Sequence, residues 1–291
     1  MSQQSFANMI DPSQVLVRQA DSGSDRIVEF PQKFPRSPLR YPGGKNRAVK
    51  AITKLIFAQI PSDEKKLCSP FLGGGSIELA CTTKMEVYGA DIFEPLVAFW
   101  RVLLRDPEML ARRVEPYLHS LTRTQFYNLQ KRFIHLTDEV ERAAAFFVLN
   151  RSSFSGTTLS GGMSPGHPRF TQSAIERIKS FKVDNFHVEN ADYREVIPKH
   201  EDAFLYLDPP YLNGQGLYGV KGDTHKSFDH EALADLLHKR DRWIMSYNDC
   251  PEVRELYKDK TIVSIEWIYG MSKNKQSKEV LIASPDVNLA A

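Results

Sequence analysis

The sequence predicts an α/β fold built on a mainly parallel sheet, and three observations predict it. Short apolar runs alternate with longer segments of helical periodicity. One run, Lys66-Leu67-Cys68-Ser69-Pro70, leads straight into Phe71-Leu72-Gly73-Gly74-Gly75-Ser76, and the next, Met85 to Ala90, is followed by Asp91. A later run, Ala203-Phe204-Leu205-Tyr206-Leu207, is followed by Asp208-Pro209-Pro210-Tyr211. In each case the unusual residues fall where such a sheet keeps its chemistry, at the carboxyl end of a strand.

The 291 residues suit one large α/β domain, or a core with a smaller domain inserted into it. A composition of 42% hydrophobic and 25% charged residues is ordinary for a globular chain, and no run reaches the roughly 18 apolar residues of a membrane span. The N-terminus lacks the basic start and apolar stretch of a secretory signal. Cys68, Cys81 and Cys250 form no close metal-ligand pair, so a reduced, cytoplasmic setting with neither zinc nor disulfides is expected. The net charge of +2 neither announces nor opposes nucleic-acid binding.

Residues 1–36 are polar, with isolated apolar positions such as Val15, Ile27 and Phe30, and read as an extension rather than a domain. Val49, Ile52, Leu55, Ile56 and Ile60 recur at helical spacing, with Asn46 as N-cap and Pro61 closing the helix. Lys66 to Pro70 reads as a strand, Ser76 to Ala80 as a helix and Met85 to Ala90 as a strand. Helical periodicity dominates Glu94 to Leu149, including Thr122 to Phe133 and Asp138 to Leu149. The texture then changes: thirteen of the twenty residues from Arg151 to Phe170 are Gly, Ser, Thr or Pro, an irregular or hairpin-like loop of unusual length. Long ordered loops carry function. Alternation returns with a helix at Gln172 to Ser180, strands near Val183 to Val188 and Ala203 to Leu207, and a helix at His230 to Arg240. Strands follow near Trp243 to Ser246, Ile262 to Trp267 and Val280 to Ala283, with Gln276 to Lys278 in a polar loop before the last.

Three successive glycines remove every β-carbon where a strand turns into a helix, so backbone N–H groups can approach a ligand closely. The run lacks the lysine and serine order of a phosphate-binding P-loop. Asp91 is placed to accept hydrogen bonds from both hydroxyls of a ribose, which points to a nucleoside cofactor without separating hydride transfer from methyl transfer. Asp208 to Tyr211 separates them. The exocyclic amine of a nucleobase is a poor nucleophile because its lone pair is delocalised into the ring. The Asp208 carboxylate and the Pro209 carbonyl can accept from that amine and meet the positive charge that develops on it. Proline stiffens the loop and adds no competing N–H, and Tyr211 can stack on a base turned out of the duplex. The same device would serve the N4 amine of cytosine, so the residues alone leave both bases open.

In these motifs the chain resembles the DNA adenine methylases of the Dam type and related restriction-modification enzymes, the D12 class, over about residues 37–284. Leu39-Arg40-Tyr41-Pro42-Gly43-Gly44-Lys45 is similar to that family's first block, Pro70 to Ser76 to its methionine-binding loop, and Ala90-Asp91-Ile92 to the block carrying its ribose acid. Asn150 to Gly156 resembles the start of its DNA-contacting loop, while Ser246 to Asp249 and the stretch from Asn274 through Glu279 to Ile282 resemble later blocks. The resemblance implies a Rossmann-like S-adenosylmethionine-dependent methyltransferase core with a mainly parallel seven-stranded sheet. Residues 37–105 and 181–291 would form that core, and residues 106–180 an inserted, mostly helical DNA-recognition domain.

The resemblance further implies S-adenosyl-L-methionine as cofactor, S-adenosyl-L-homocysteine as product, and no metal. Tyr41, Lys45, Phe71, Gly73, Gly75, Asp91, Asp192, Tyr193 and Asp208 are expected at the cofactor, with Asp208, Pro209 and Tyr211 at the reacting amine. Double-stranded DNA is the expected partner, through Arg123, Asn150, Arg151, Arg169, Lys226, Lys273, Asn274 and Lys275. A restriction enzyme would be a genetic rather than a physical partner, no membrane is involved, and the chain would be a monomer or weak dimer. Two departures stand out: Tyr41 replaces the tryptophan of many relatives, and Thr157 to Pro168 lacks the arginine-rich hairpin of GATC-reading members. A catalytically inactive DNA-binding or nucleotide-sensing protein of the same fold is the non-enzyme alternative, and the intact Asp208 loop argues against it.

Overall fold

The computed structural model describes residues 33–60, 65–164, 169–212, 228–268 and 276–289. Seven strands form one sheet: β1 Lys66–Ser69, β2 Glu86–Asp91, β3 Phe186–Asn190, β4 Phe204–Leu207, β5 Trp243–Asn248, β6 Thr261–Ile268 and β7 Gln276–Ala283. Their order is β3-β2-β1-β4-β5-β7-β6. The first five run parallel, and β7 lies antiparallel between β5 and β6. The chain builds outward from β1 through β2 to β3, then returns to lay β4 on the opposite side of β1. Such a reversal opens a crevice at the carboxyl ends of the two central strands.

Burial on both faces explains why the strands read as continuous apolar runs. Leu67, Phe204, Tyr206, Ile244 and Leu281 enter one core cluster, and the alternating Cys68, Leu205, Leu207, Met245 and Ile282 enter the other. The first cluster is covered by α1 Val49–Gln59, α2 Ser76–Cys81 and α3 Glu94–Arg105, and by the helices that follow, α4 Pro107–Val114, α5 Arg123–Arg132, α6 Glu139–Ser152 and α7 Gln172–Lys179. The second is covered by α8 Tyr193–Lys199, α9 His230–His238 and α10 Pro251–Leu256. Every residue of α6 from Ala143 to Asn150 is buried, as befits a helix surrounded by others. It packs on α3, α4 and α5, with Phe147 stacked on Phe99 at 5.8 Å. The helical segment after Asp106 therefore shares its core with the sheet's own helix α3.

The sheet and helices follow the expected order, with local differences. α1 starts after Ala48 with no side-chain cap, and Asn46 instead accepts from the Ser76 hydroxyl at 3.1 Å, bracing the start of α2. β3 begins at Phe186 rather than Val183, because Asn185 turns its amide back onto the carbonyls of Thr82 and Met85. Gln276 to Lys278, expected in a loop, belong to β7, whose pairing with β6 extends to Gln276. No helix among the described residues is long and apolar enough to cross a membrane.

The turn from β1 into α2 is the tightest point of the fold. Gly75 has φ +64°, and a β-carbon there would lie 2.8 Å from the Trp100 ring of α3. Gly75→Ala should therefore cost about 1–3 kcal/mol, read as a lower midpoint of urea unfolding, and an unchanged midpoint would show that the turn relaxes freely.

Candidate active site

At the carboxyl ends of β1, β2 and β4 lies a cleft of about 270 Å³. Its floor is the glycine loop, which hangs from β2: the Leu72 N–H donates to the Ala90 carbonyl at 2.8 Å and the Gly73 N–H to Asp91 Oδ2 at 3.0 Å. The Trp100 indole returns a bond to the Gly73 carbonyl at 3.1 Å. Tyr41 lies on this loop so closely that a β-carbon on Gly73 would stand 3.0 Å from its ring. The glycines thus make room for Tyr41 and Trp100 as well as for a ligand; Trp100 was not singled out from sequence, where it reads as an ordinary core residue.

Asp91 ends β2 on the wall of the cleft, and its Oδ1 accepts the Phe93 N–H at 2.9 Å. Burial of the carboxyl outweighs these backbone bonds and pushes its pKa up to about 6. Across the cleft Phe71, Tyr193 and Phe228 form an aromatic triad with centroids 5.3–5.6 Å apart. Asp192 caps α8 by accepting the Arg194 N–H at 2.9 Å while also lining the cleft. A strand-end carboxylate, an aromatic clamp and a backbone cradle without β-carbons suit a nucleoside cofactor. Deeper, Glu78 accepts the Ser69 hydroxyl at 2.6 Å, and burial pushes its carboxyl up to about 7. Among the described residues there is no group of three or more His, Cys, Asp or Glu arranged to hold a metal ion.

Lys45 ties the other end of the cleft together. Its side chain is 3% exposed, and Nζ donates to Asp208 Oδ1 and Oδ2 at 2.8 and 2.9 Å, to the Tyr211 hydroxyl at 2.8 Å and to the Gly43 carbonyl at 3.1 Å. It lies 5.1 Å from the Tyr211 ring centroid, a separation that puts the ammonium beyond the hydroxyl edge rather than over the ring face. Tyr211 donates to Glu279 at 3.0 Å and stacks on Tyr247 at 5.8 Å and 19°. Asp208 Oδ1 also accepts from Ser246 at 3.2 Å and Tyr211 at 3.4 Å, whereas Lys45 is the donor recorded on Oδ2. Lys45, expected at the cofactor, is thus held by the carboxylate of the Asp208 loop. Glu279, Ser246 and Tyr206, whose hydroxyl lies 2.9 Å from that of Ser246, complete the cluster. No role for these three was read from the sequence.

Among the residues expected to contact DNA, Asn150 is placed otherwise. It is fully buried: Oδ1 accepts the Arg40 N–H at 2.8 Å, and Nδ2 donates to the carbonyls of Arg40 and Gly156 at 2.6 and 3.1 Å. It is a strut inside the protein, out of reach of a groove. Arg151 is half-buried, with Nε on the Arg169 carbonyl at 2.8 Å and Nη1 on the Pro38 carbonyl at 3.4 Å. Burial, with repulsion from Arg40, Arg177 and Arg169, lowers its pKa to about 10. Arg123 and Arg169 are exposed, whereas Lys226, Lys273, Asn274 and Lys275 lie outside the described residues. The loop after α6 closes on itself through a Ser153–Met163 bridge, is held by Gln130 on the carbonyls of Thr158 and Gly161, and presents Phe154 at 66% exposure.

A doubly wound sheet whose crevice joins a glycine loop, a strand-end acid and an Asp-Pro-Pro-Tyr turn defines the class of nucleoside-cofactor enzymes that act on amines. Residues 41–271 match the model of the D12 class N6 adenine-specific DNA methyltransferases, and the chain belongs to that family. It is 26% identical over 265 residues to the DNA N-6-adenine-methyltransferase of Escherichia phage P1, covering 83% of this chain but 34% of that protein. It is 24% identical over 249 residues to the type II methyltransferase M1.LlaDCHI of Lactococcus lactis subsp. cremoris, covering 78% and 86% of the two chains. With the type II methyltransferase M.MjaIII of Methanocaldococcus jannaschii it shares 26% over 202 residues, 60% and 68% of the respective lengths. Among solved structures, a precorrin-6y C5,15-methyltransferase from Geobacter metallireducens GS-15 overlays with a TM-score of 0.32 and 8% identity, across 80% of this chain and 86% of its own.

Two expectations follow. Hydroxyl donors favour an ionised acceptor, and burial holds the Asp91 carboxyl near 6, so a ribose bound to Asp91 would make S-adenosylmethionine affinity hold above neutrality and fall by up to about tenfold per unit as pH drops below 6. Glu78 titrates nearby, so calorimetry on Asp91→Asn isolates the effect: this variant should bind weakly at every pH, with the low-pH fall lost. Asn150→Ala strands buried partners and should cost about 1–3 kcal/mol of stability. Its DNA affinity should keep the wild-type salt slope, because no phosphate contact has been removed.

Proposed function

We propose that this chain is a site-specific DNA adenine-N6 methyltransferase that takes its methyl group from S-adenosyl-L-methionine and acts on an adenine turned out of duplex DNA. The observation that carries the reading is the meeting of the Asp208 carboxylate with the glycine-loop cleft at the reversal between β1 and β4. The cofactor supplies a methyl group already activated on a sulfonium sulfur. What remains for the protein is to hold, orient and dehydrate the amine that receives it.

Asp91 would hold the ribose, Phe71 and Tyr193 the adenine ring, and the backbone around Gly73 and Gly75 the amino-acid end. Asp208 Oδ1 already takes several donors, so Oδ2, which faces Lys45 alone among the described residues, is the oxygen with capacity for an N6–H. No hydrogen bond among the described residues reaches the Pro209 carbonyl, which leaves it for the second N6–H. Acceptors fixed in advance bend the amine toward its nucleophilic geometry without reorganising as charge appears. Tyr211, with one face on Tyr247 and its hydroxyl bound, is pre-organised to stack on the flipped base.

Arg40, Arg151, Arg169 and Arg177 crowd one another, and none forms an ion pair among the described residues. Together with exposed Arg123 they suit phosphates, which set position, while sequence would be read by groups on the Arg151–Phe170 loop. Phe154 offers that loop an apolar surface for base steps. The chain would work as a monomer or weak dimer in the cytoplasm, where its three buried free thiols stay reduced.

Transfer of tritiated methyl to mixed-sequence DNA, followed by single-base sequencing of the product, tests the reading. Label should appear on adenine N6 in one sequence context, and Asp208→Ala should lower it by at least about a hundredfold. Label on cytosine N4 would assign the other base, and DNA binding with no transfer on any substrate would leave a binding protein.

A further inference from the structure

We propose that Ser246, with Tyr206 behind it, is a positioning residue that sets the plane of the Asp208 carboxylate at the amine-accepting end of the cleft, an inference that rests on the methyl-transfer reading above. Both hydroxyls stand where apolar side chains are the rule. Tyr206 lies in β4 between Leu205 and Leu207, Ser246 lies in β5 between Met245 and Tyr247, and each is 1% exposed. A hydroxyl so placed is costly unless it is bonded. β4 and β5 run parallel with Tyr206 opposite Ile244 and Leu207 opposite Met245, so the next step of that register brings Asp208 to Ser246.

The protons of this chain of groups can be assigned. The Tyr206 and Ser246 oxygens lie 2.9 Å apart, and Ser246 Oγ lies 3.2 Å from Asp208 Oδ1 and 3.5 Å from the Leu207 carbonyl. If Ser246 donated to Tyr206, the Tyr206 proton would have no acceptor among the described residues, a state that buried hydroxyls rarely keep. Tyr206 therefore donates to Ser246, and Ser246 spends its own proton on Asp208, the nearer and charged acceptor. Burial, with the nearby Asp208 and Glu78 carboxyls, raises the Tyr206 pKa, so the first proton of the chain stays in place. Lys45 does not set the plane alone. Its Nζ stands 2.8 and 2.9 Å from the two Asp208 oxygens, so turning the carboxylate about the line from Nζ to its Cγ changes neither distance. Ser246 bonds Oδ1 from off that line and fixes the turn, whereas the Tyr211 hydroxyl is farther from the same oxygen at 3.4 Å. The turn matters because the amine must meet its acceptor along a lone-pair direction for the transfer to be aligned.

Single-turnover transfer and binding, measured separately, test the assignment. Ser246→Ala should slow transfer at least about tenfold, while calorimetry finds S-adenosylmethionine and DNA affinities within about twofold of wild type. Ser246→Thr keeps the hydroxyl and should recover most of that loss. Tyr206→Phe should slow transfer less, by about threefold, and should add nothing in the Ser246→Ala background, because it acts through Ser246. Crystal structures of the ligand-free variants give a readout without turnover: the Asp208 carboxylate should be turned in Ser246→Ala with both Lys45 contacts kept, and unturned in Ser246→Thr. An unturned carboxylate in Ser246→Ala, a loss confined to affinity, or independent effects of the two substitutions would overturn the proposal. If Ser246→Ala does not fold because the Tyr206 hydroxyl is stranded, the double variant decides: it leaves neither hydroxyl behind, and transfer at the wild-type rate there sinks the idea. Absence of transfer by the wild-type protein on any DNA would instead overturn the methyl-transfer reading, and this proposal with it.

Discussion

The site depends on one constraint of topology, the reversal of strand order between β1 and β4. Parallel strands deliver their carboxyl ends to the same edge, so the turns after Ser69, Asp91 and Leu207 meet although they are far apart in sequence. The reversal leaves no crossover helix above the β1–β4 seam, and that gap becomes the cleft. Antiparallel β7 then adds a residue from the start of a strand to an edge otherwise built from strand ends. Both devices need a sheet buried on two faces, which is why Leu67 and Cys68, neighbours in sequence, enter different cores.

Within that frame the pair of buried Lys45 and partly exposed Asp208 ties the site together. Exposed pairs such as Lys258–Glu255 contribute little, because water screens them. The Lys45 ammonium is far more shielded from water, so loss of the Asp208 carboxylate beside it should cost more than loss of an exposed partner. Lys45 therefore fixes more than a charge: through Gly43, Asp208 and Tyr211 it sets the distance between the loop before α1 and the turn after β4. These bonds are formed within the protein itself, which suits a site that works by alignment.

What could be read from sequence was whatever has a local signature. Strand ends, the glycine run, Asp91 and the Asp-Pro-Pro-Tyr turn all lay in short contiguous stretches, and the structure places them around one cleft. Residues whose meaning lies in a distant partner were not legible. Asn150 carries a polar side chain next to an arginine in a loop-like context, the pattern of a DNA contact, yet its amide is spent on the backbone of Arg40, 110 residues away. Glu279 was hidden twice, by a strand direction that sequence does not announce and by a polar approach that reads as loop. The Tyr211 hydroxyl carried no local signature either: its ring suggests stacking, while Lys45 and Glu279, which it meets, lie far from it in the chain.

The Asn150 strut has a mechanical consequence. Arg40 immediately precedes Tyr41, whose ring lies on the glycine loop, and Asn150 clamps both the N–H and the carbonyl of Arg40. The same amide holds Gly156 and Thr158 at the start of the loop that would face DNA. One buried side chain thus connects the residue before Tyr41 to the start of the Arg151–Phe170 loop through hydrogen bonds that tolerate little stretching. Moving Gly156 away from Arg40 would break bonds of a satisfied buried amide, which is costly. Tyr41 packs on Gly73, and Gly73 is bonded to Asp91, so the Asn150 amide, the Tyr41 ring and the glycine loop form one connected series of contacts that ends at the cleft.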